Sequence, residues 1–158
     1  MGFNKGDLVL IKPFDNIDTG NEVLIIDDTN KRLLIKTFDN KKSFLIASEN
    51  YKNIVKLQRN EKDINLLLEQ TKQFISDNTY NDLQSTIDII DEFDHLIYDY
   101  EENNGEKNFK EYFGAFSYDI SLLIENLKYD RKTEWTCNDL KCLETTYLYS
   151  SYLCDFVI

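Results

Sequence analysis

The hydrophobic pattern changes period at Gln58, and that change decides what the chain can build. Before it, short apolar runs are separated by turn residues at intervals of about ten residues. After it, apolar residues recur every three or four positions. A period near two specifies strands and a period near 3.6 specifies helices. The sequence therefore predicts an α+β protein, strands first and helices second. A chain of 158 residues suits one domain or two small ones. The expected division is a strand-built part at 1–58 and a helical part at 59–158.

Five strands are expected in the first part: Leu8–Ile11, Glu22–Ile26, Arg32–Phe38, Ser43–Ala47 and Asn53–Leu57. Pro13 to Asn21, Asp27 to Lys31 and Asp39 to Lys42 are rich in turn-forming residues. A five-stranded meander of this spacing is expected to close on itself, because closure removes open edges. Gly6-Asp7-x-Val9, followed by Gly20 in a first long loop, resembles an SH3-like small barrel. Such barrels bind peptides, methylated side chains or RNA, so the resemblance implies a fold and leaves the ligand open. Phe14, Phe38, Phe44 and Tyr51 are spread out and read as core or strand-end residues.

The second part reads as a four-helix array with short connections. Expected helices span Glu61–Ser76, Asn81–Glu102 and Lys107–Lys128, with a fourth from Thr136 or Asn138 to the end. Thr79 or Asn81 would cap the second helix, and Asn103-Asn104-Gly105 would stop it. The inward residues are Ile64, Leu67, Leu68, Thr71, Phe74 and Ile75 on the first helix. Leu83, Ile87, Ile90, Phe93, Ile97 and Tyr100 form the stripe of the second. Phe109, Tyr112, Phe113, Phe116, Ile120, Leu123, Ile124 and Leu127 follow on the third, and Leu140, Leu143, Tyr147, Leu148, Leu153 and Phe156 on the fourth. Gly114 inside the third helix marks an expected close approach of another helix.

Charge is distributed unevenly over this plan. The formal net charge is −11. Gln73 to Glu106 contains ten carboxylates and no Lys or Arg, so these 34 residues carry −10 of it. At about 100° per residue, Asp88, Asp91, Glu92, Asp99 and Glu102 fall within about a third of a turn. His95 lies within this arc, four residues after Asp91 and four before Asp99. A solvated helix face usually mixes signs to gain i,i+4 pairs. This one does not, and the uncompensated repulsion points to a use in docking. Two other readings are a plain solvated face and a metal site built from Asp91, His95 and Asp99.

Several function classes are disfavoured. An acidic surface repels phosphate, so direct nucleic-acid binding is not expected. No apolar run approaches the roughly 20 residues of a membrane span. Met1-Gly2-Phe3-Asn4-Lys5-Gly6 has neither a signal-peptide core nor a myristoylation pattern, so a cytoplasmic location is expected. Cys137, Cys142 and Cys154 read as reduced thiols packed as small hydrophobes. No Gly-rich phosphate loop, Gly-x-Ser-x-Gly elbow or His-Glu-x-x-His motif occurs, so no enzyme and no cofactor are expected.

In acidic character the chain resembles phage-encoded anti-defence inhibitors, including anti-CRISPR proteins, and immunity proteins that neutralise nuclease toxins. The resemblance implies a bacterial cytoplasm and a non-catalytic nucleic-acid mimic on a basic partner protein such as a nuclease. The candidate partner-binding residues are Asp88, Asp91, Glu92, Asp94, His95, Asp99, Glu101 and Glu102. The alternative is a barrel-centred adaptor for peptide or RNA, using Lys31, Arg32, Lys36, Lys41 and Lys42.

Overall fold

The computed structural model describes residues 2–78, 84–103, 109–129 and 137–157, except the side chains of 84–90, 103, 126, 127, 129 and 137–139. It is α+β, a five-stranded antiparallel sheet followed by helices. The expected cap at Thr79 or Asn81, the acids Asp82 and Glu106, and the stop at Asn104-Gly105 lie outside the described residues. The chain divides into two units, Met1–Leu66 and Leu67–Ile158, and the division falls inside the first α-helix.

The sheet runs β1 (Leu8–Ile11), β2 (Leu24–Asp28), β3 (Leu33–Lys36), β4 (Ser43–Ile46) and β5 (Ile54–Lys56). A 3-10 turn at Ser48–Asn53 precedes the last strand. The spatial order is β4-β3-β2-β1-β5, with every pairing antiparallel. Closure is not seen among the described residues, because β4 and β5 each pair with one neighbour and form the two edges. A sheet closes only where strand tilt and shear bring its two edges together, and no β4–β5 pairing is present among the described residues.

Alternation sets the sheet's inner face. Val9, Ile11, Leu24, Ile26, Leu33, Ile35, Ile46 and Ile54 form one buried cluster, with Phe14, Phe44 and Tyr51 packed against it. Leu8, Ile25 and Val23 are buried as well, so these strands read as continuous apolar runs.

Asp7 fastens the start of the sheet. Its carboxylate accepts the Asn4 N–H at 2.8 Å and faces the Lys56 ammonium on β5 at 3.3 Å. Gly6 before it has φ 91°, a conformation that glycine adopts without a Cβ clash. The β2–β3 pairing shifts register between Ile26 and Asp28, and Asp27 at the shift pairs with Lys36 at 3.4 Å. In the β3–β4 hairpin, the Thr37 hydroxyl donates to Asp39 at 2.7 Å and accepts the Lys42 N–H at 3.2 Å.

Four α-helices follow: α1 (Glu61–Asp77), α2 (Gln84–Asn103), α3 (Phe109–Tyr129) and α4 (Cys137–Phe156). Asn60 caps α1 by accepting the Asp63 N–H at 2.8 Å, while Asp63 accepts the Gln58 N–H at 2.7 Å. The expected inward face of α1 is buried or half-buried throughout.

Within the second unit, antiparallel contacts link α1 to α4, α4 to α3, and α3 to α2. Tyr149 of α4 meets Gln70 at 2.9 Å and stacks on Phe74, and Cys142 reaches Asn78 just past the end of α1. Ser117 and Ser151 join α3 to α4 at 3.1 Å, and Lys128 pairs with Glu144 at 3.8 Å. A Cβ added at Gly114 would meet the Cys154 Sγ at 3.4 Å, so this glycine does sit at a close helix approach.

Two expected inward residues point elsewhere. Tyr112 and Tyr147 are exposed. Tyr112 neighbours the fully buried Phe113 and leans edge-on against Phe109, with ring centroids 5.8 Å apart. On α4 the buried seam includes Leu143, Thr146, Ser150 and Leu153 and continues into Val157 just past the helix end, which leaves Tyr147 to one side. Thr146 and Ser150 enter the seam because their hydroxyls donate to the Cys142 and Tyr147 carbonyls of their own helix.

Candidate acidic interface

α2 carries the site. Phe93 and Ile97 are buried on one side, and Tyr100 is half-buried between the rings of Phe109 and Phe113. Phe93 meets Phe116 at 5.5 Å. These contacts fix which way α2 faces. Leu83 lies outside the described residues, as do the side chains of Ile87 and Ile90.

With the aromatic side held against α3, the carboxylates are turned outward. Asp91, Glu92, Asp94, Asp99, Glu101 and Glu102 are all exposed, and so is His95. Asp88 lies on the α2 backbone, and its side chain is outside the described residues. The ion pairs among the described residues are Lys36–Asp27, Lys56–Asp7 and Lys128–Glu144. Asp91, Asp94, Glu101 and Glu102 therefore make none there. The described part of α2 has no Lys or Arg, and its last turn has no basic residue to offset the negative helix end.

Glu92 differs from its neighbours. Partial burial pushes its carboxyl up from the ordinary Glu range, and the nearby Asp119 carboxylate on α3 adds to the rise through repulsion and a hydrogen bond. The two side chains therefore meet across the α2–α3 seam. Asp119 is itself exposed, which extends the negative face onto a second helix.

Two residues of this surface escape a reading of charge alone. One is Asp119, whose proximity to Glu92 depends on how α2 and α3 align. The other is Tyr98, 61% exposed. It lies four residues after Asp94, three before Glu101 and four before Glu102, so carboxylates surround an aromatic ring at helical spacing. The signal was an aromatic residue off the apolar stripe. Asp91, His95 and Asp99 share a helix face, yet among the described residues no three His, Cys, Asp or Glu side chains gather as metal ligands.

Chemically, such a surface offers fixed negative charge and the exposed phenol ring of Tyr98. It attracts Lys and Arg and gives an arginine a π-face to stack on. Among the described residues, no helix is long and apolar enough to cross a membrane. The chain has no significant match to a protein-family model, to a curated protein or to a solved structure.

Proposed function

We propose that this protein is a non-catalytic acidic inhibitor. Its α2 surface occupies a basic, nucleic-acid-facing site on a partner protein such as a nuclease, in the manner of an anti-CRISPR or other anti-defence protein. The observation that carries the reading is the exposure of six α2 carboxylates with no lysine or arginine among them. Their mutual repulsion costs stability in the isolated protein and is relieved when a basic surface neutralises it. An immunity protein against a nuclease toxin would use the same chemistry. Either function would operate in a bacterial cytoplasm.

In this reading the sheet is an SH3-like barrel in plan, supported by a five-stranded meander whose last strand returns to the first. The helices form a four-helix array, supported by the α1–α4, α4–α3 and α3–α2 contacts. The barrel-centred adaptor is the weaker reading. Lys31 and Arg32 lie in the turn before β3, and Lys41 and Lys42 in the turn after it. A four-residue strand sets the two turns about 13 Å apart, so these charges divide between the two ends of the sheet.

The test is capture of partners from nuclease-treated bacterial lysate, with the wild type beside a variant carrying Asp88→Lys, Asp91→Lys, Glu92→Lys and Asp99→Lys. The expected result is a partner with a basic surface that the wild type retains at low salt and the variant loses, with unchanged circular dichroism. A variant that binds the same partner normally ends the proposal.

A further inference from the structure

The two edges of the sheet are not equivalent. β5 has three residues and ends in Lys56, which is paired with Asp7. A charge on a short strand is a usual guard against edge-to-edge pairing. β4 has four residues, Ser43-Phe44-Leu45-Ile46, and none is charged. Leu45 at its middle is 58% exposed.

The β3–β4 hydrogen-bond pattern shows which β4 groups face outward. The Thr37 N–H donates to the Lys42 carbonyl at 3.0 Å, so Thr37 and Lys42 form a hydrogen-bonded pair. In an antiparallel ladder such pairs alternate with non-bonded ones. Ile35–Phe44 and Leu33–Ile46 are then bonded pairs, and Leu34–Leu45 is not. The N–H and C=O of Leu45 therefore point away from β3, at the edge of the sheet. Its side chain lies on the face opposite the Val9–Ile54 cluster, beside Leu34 across the ladder.

We propose that β4 is a self-complementary docking edge, and that its occupant is β4 of a second copy of this chain. The two strands run antiparallel about a two-fold axis at Leu45. Each Leu45 N–H donates to the other copy's Leu45 carbonyl. Ser43 then stands opposite Ala47, and Phe44 opposite Ile46.

Charge selects this occupant and this register. The exposed Lys41 of one copy is brought to the end of the strand pair where the other copy's exposed Glu49 lies, and the two-fold repeats the contact. Leu34, Leu45 and their two-fold mates form one continuous apolar row on the face opposite the Val9–Ile54 cluster. A slip of one residue would turn Leu45 away from its partner and separate the charges. The association joins two five-stranded sheets into one and does not depend on the acidic-face reading.

Sedimentation velocity on the full chain, from about 1 µM to about 1 mM, registers any dimer of millimolar Kd or tighter. The expected result is a concentration-dependent dimer that Leu45→Lys abolishes while circular dichroism is unchanged. Lys41→Glu and Glu49→Lys should each weaken it roughly three- to tenfold, as repeated rim charge pairs do, and the double variant should restore it. The double variant keeps the test open if Leu45→Lys fails to fold. A monomer at every concentration overturns the proposal. So does a dimer that survives Leu45→Lys, or a charge swap that does not restore association.

Discussion

Glu92 shows how one side chain can belong both to the fold and to the acidic surface. Its carboxyl is raised by burial first and by Asp119 second. A raised acid binds its proton more tightly in the folded state than in the unfolded one. Its stabilising contribution is therefore full below the ordinary Glu range and is lost as pH rises through the raised folded value. Glu92→Gln keeps the hydrogen-bonding shape and removes the titration. The variant should lose stability less than the wild type as pH rises from about 4 towards neutral, measured by urea unfolding across pH. Parallel pH profiles for the two proteins would show that the pair is not coupled. Gly114 gives a second residue-scale test. Alanine should recover up to about 1 kcal/mol of helix propensity, because its Cβ would stand 3.4 Å from the Cys154 Sγ, at the edge of ordinary contact. Destabilisation in urea melts would mean that α3 and α4 cannot give even slightly there. Asp119 and Tyr98 were not legible as site residues from sequence. A carboxylate's neighbour on another helix follows from packing, and an off-stripe tyrosine signals only its own exposure.

At the scale of elements, the strands and helices were legible because period is a local property and the chain changes it once. Each expected strand overlaps an observed one, and the α1 face was read residue by residue. Tyr147 falls outside the α4 seam because that seam is not made of apolar residues alone. The α4 seam includes Thr146 and Ser150, buried with hydroxyls turned back to their own helix. A buried threonine of this kind contributes shape more than polarity. Thr71 on α1 is the cleanest case, fully buried with its hydroxyl on the Leu67 carbonyl at 2.7 Å. Thr71→Val should change stability by no more than about 1 kcal/mol, since only a redundant bond is lost. Leu143→Ala, in the fully buried α4 seam, should cost about 2–5 kcal/mol. Equal losses in chemical unfolding would mean that the threonine hydroxyl carries more than its own helix accounts for. Closure of the sheet was the element-scale expectation that sequence could not decide. It depends on whether strand tilt and shear bring the two edges together, and strand ends blur at turn residues.

Across the whole molecule, charge is segregated along the chain. Residues 1–58 carry nine Lys or Arg against eight Asp or Glu, while 73–106 carry ten acids and no Lys or Arg. If the acidic surface docks a basic partner as proposed, long-range attraction comes from this acidic stretch and steers the partner there before any contact forms. Steering has a kinetic signature that separates the inhibitor from the adaptor. Take a partner recovered by capture and measure association by surface plasmon resonance from about 0.05 to about 0.5 M salt, a range over which the Debye length shrinks to a few ångström. The wild-type association rate should fall by roughly tenfold or more, because steered encounters depend steeply on ionic strength. Reversing Asp91, Asp94, Glu101 and Glu102 in the full chain should lower the rate at low salt and flatten its salt dependence, while dissociation changes less. Tyr98→Ala should do the opposite, leaving the association rate nearly intact and speeding dissociation, because an aromatic anchor acts after contact. Neutralising Lys31, Arg32, Lys41 and Lys42 should leave both rates unchanged. If instead those four substitutions abolish binding and the α2 reversals do not, the sheet turns carry the function and the acidic helix is a solvated face.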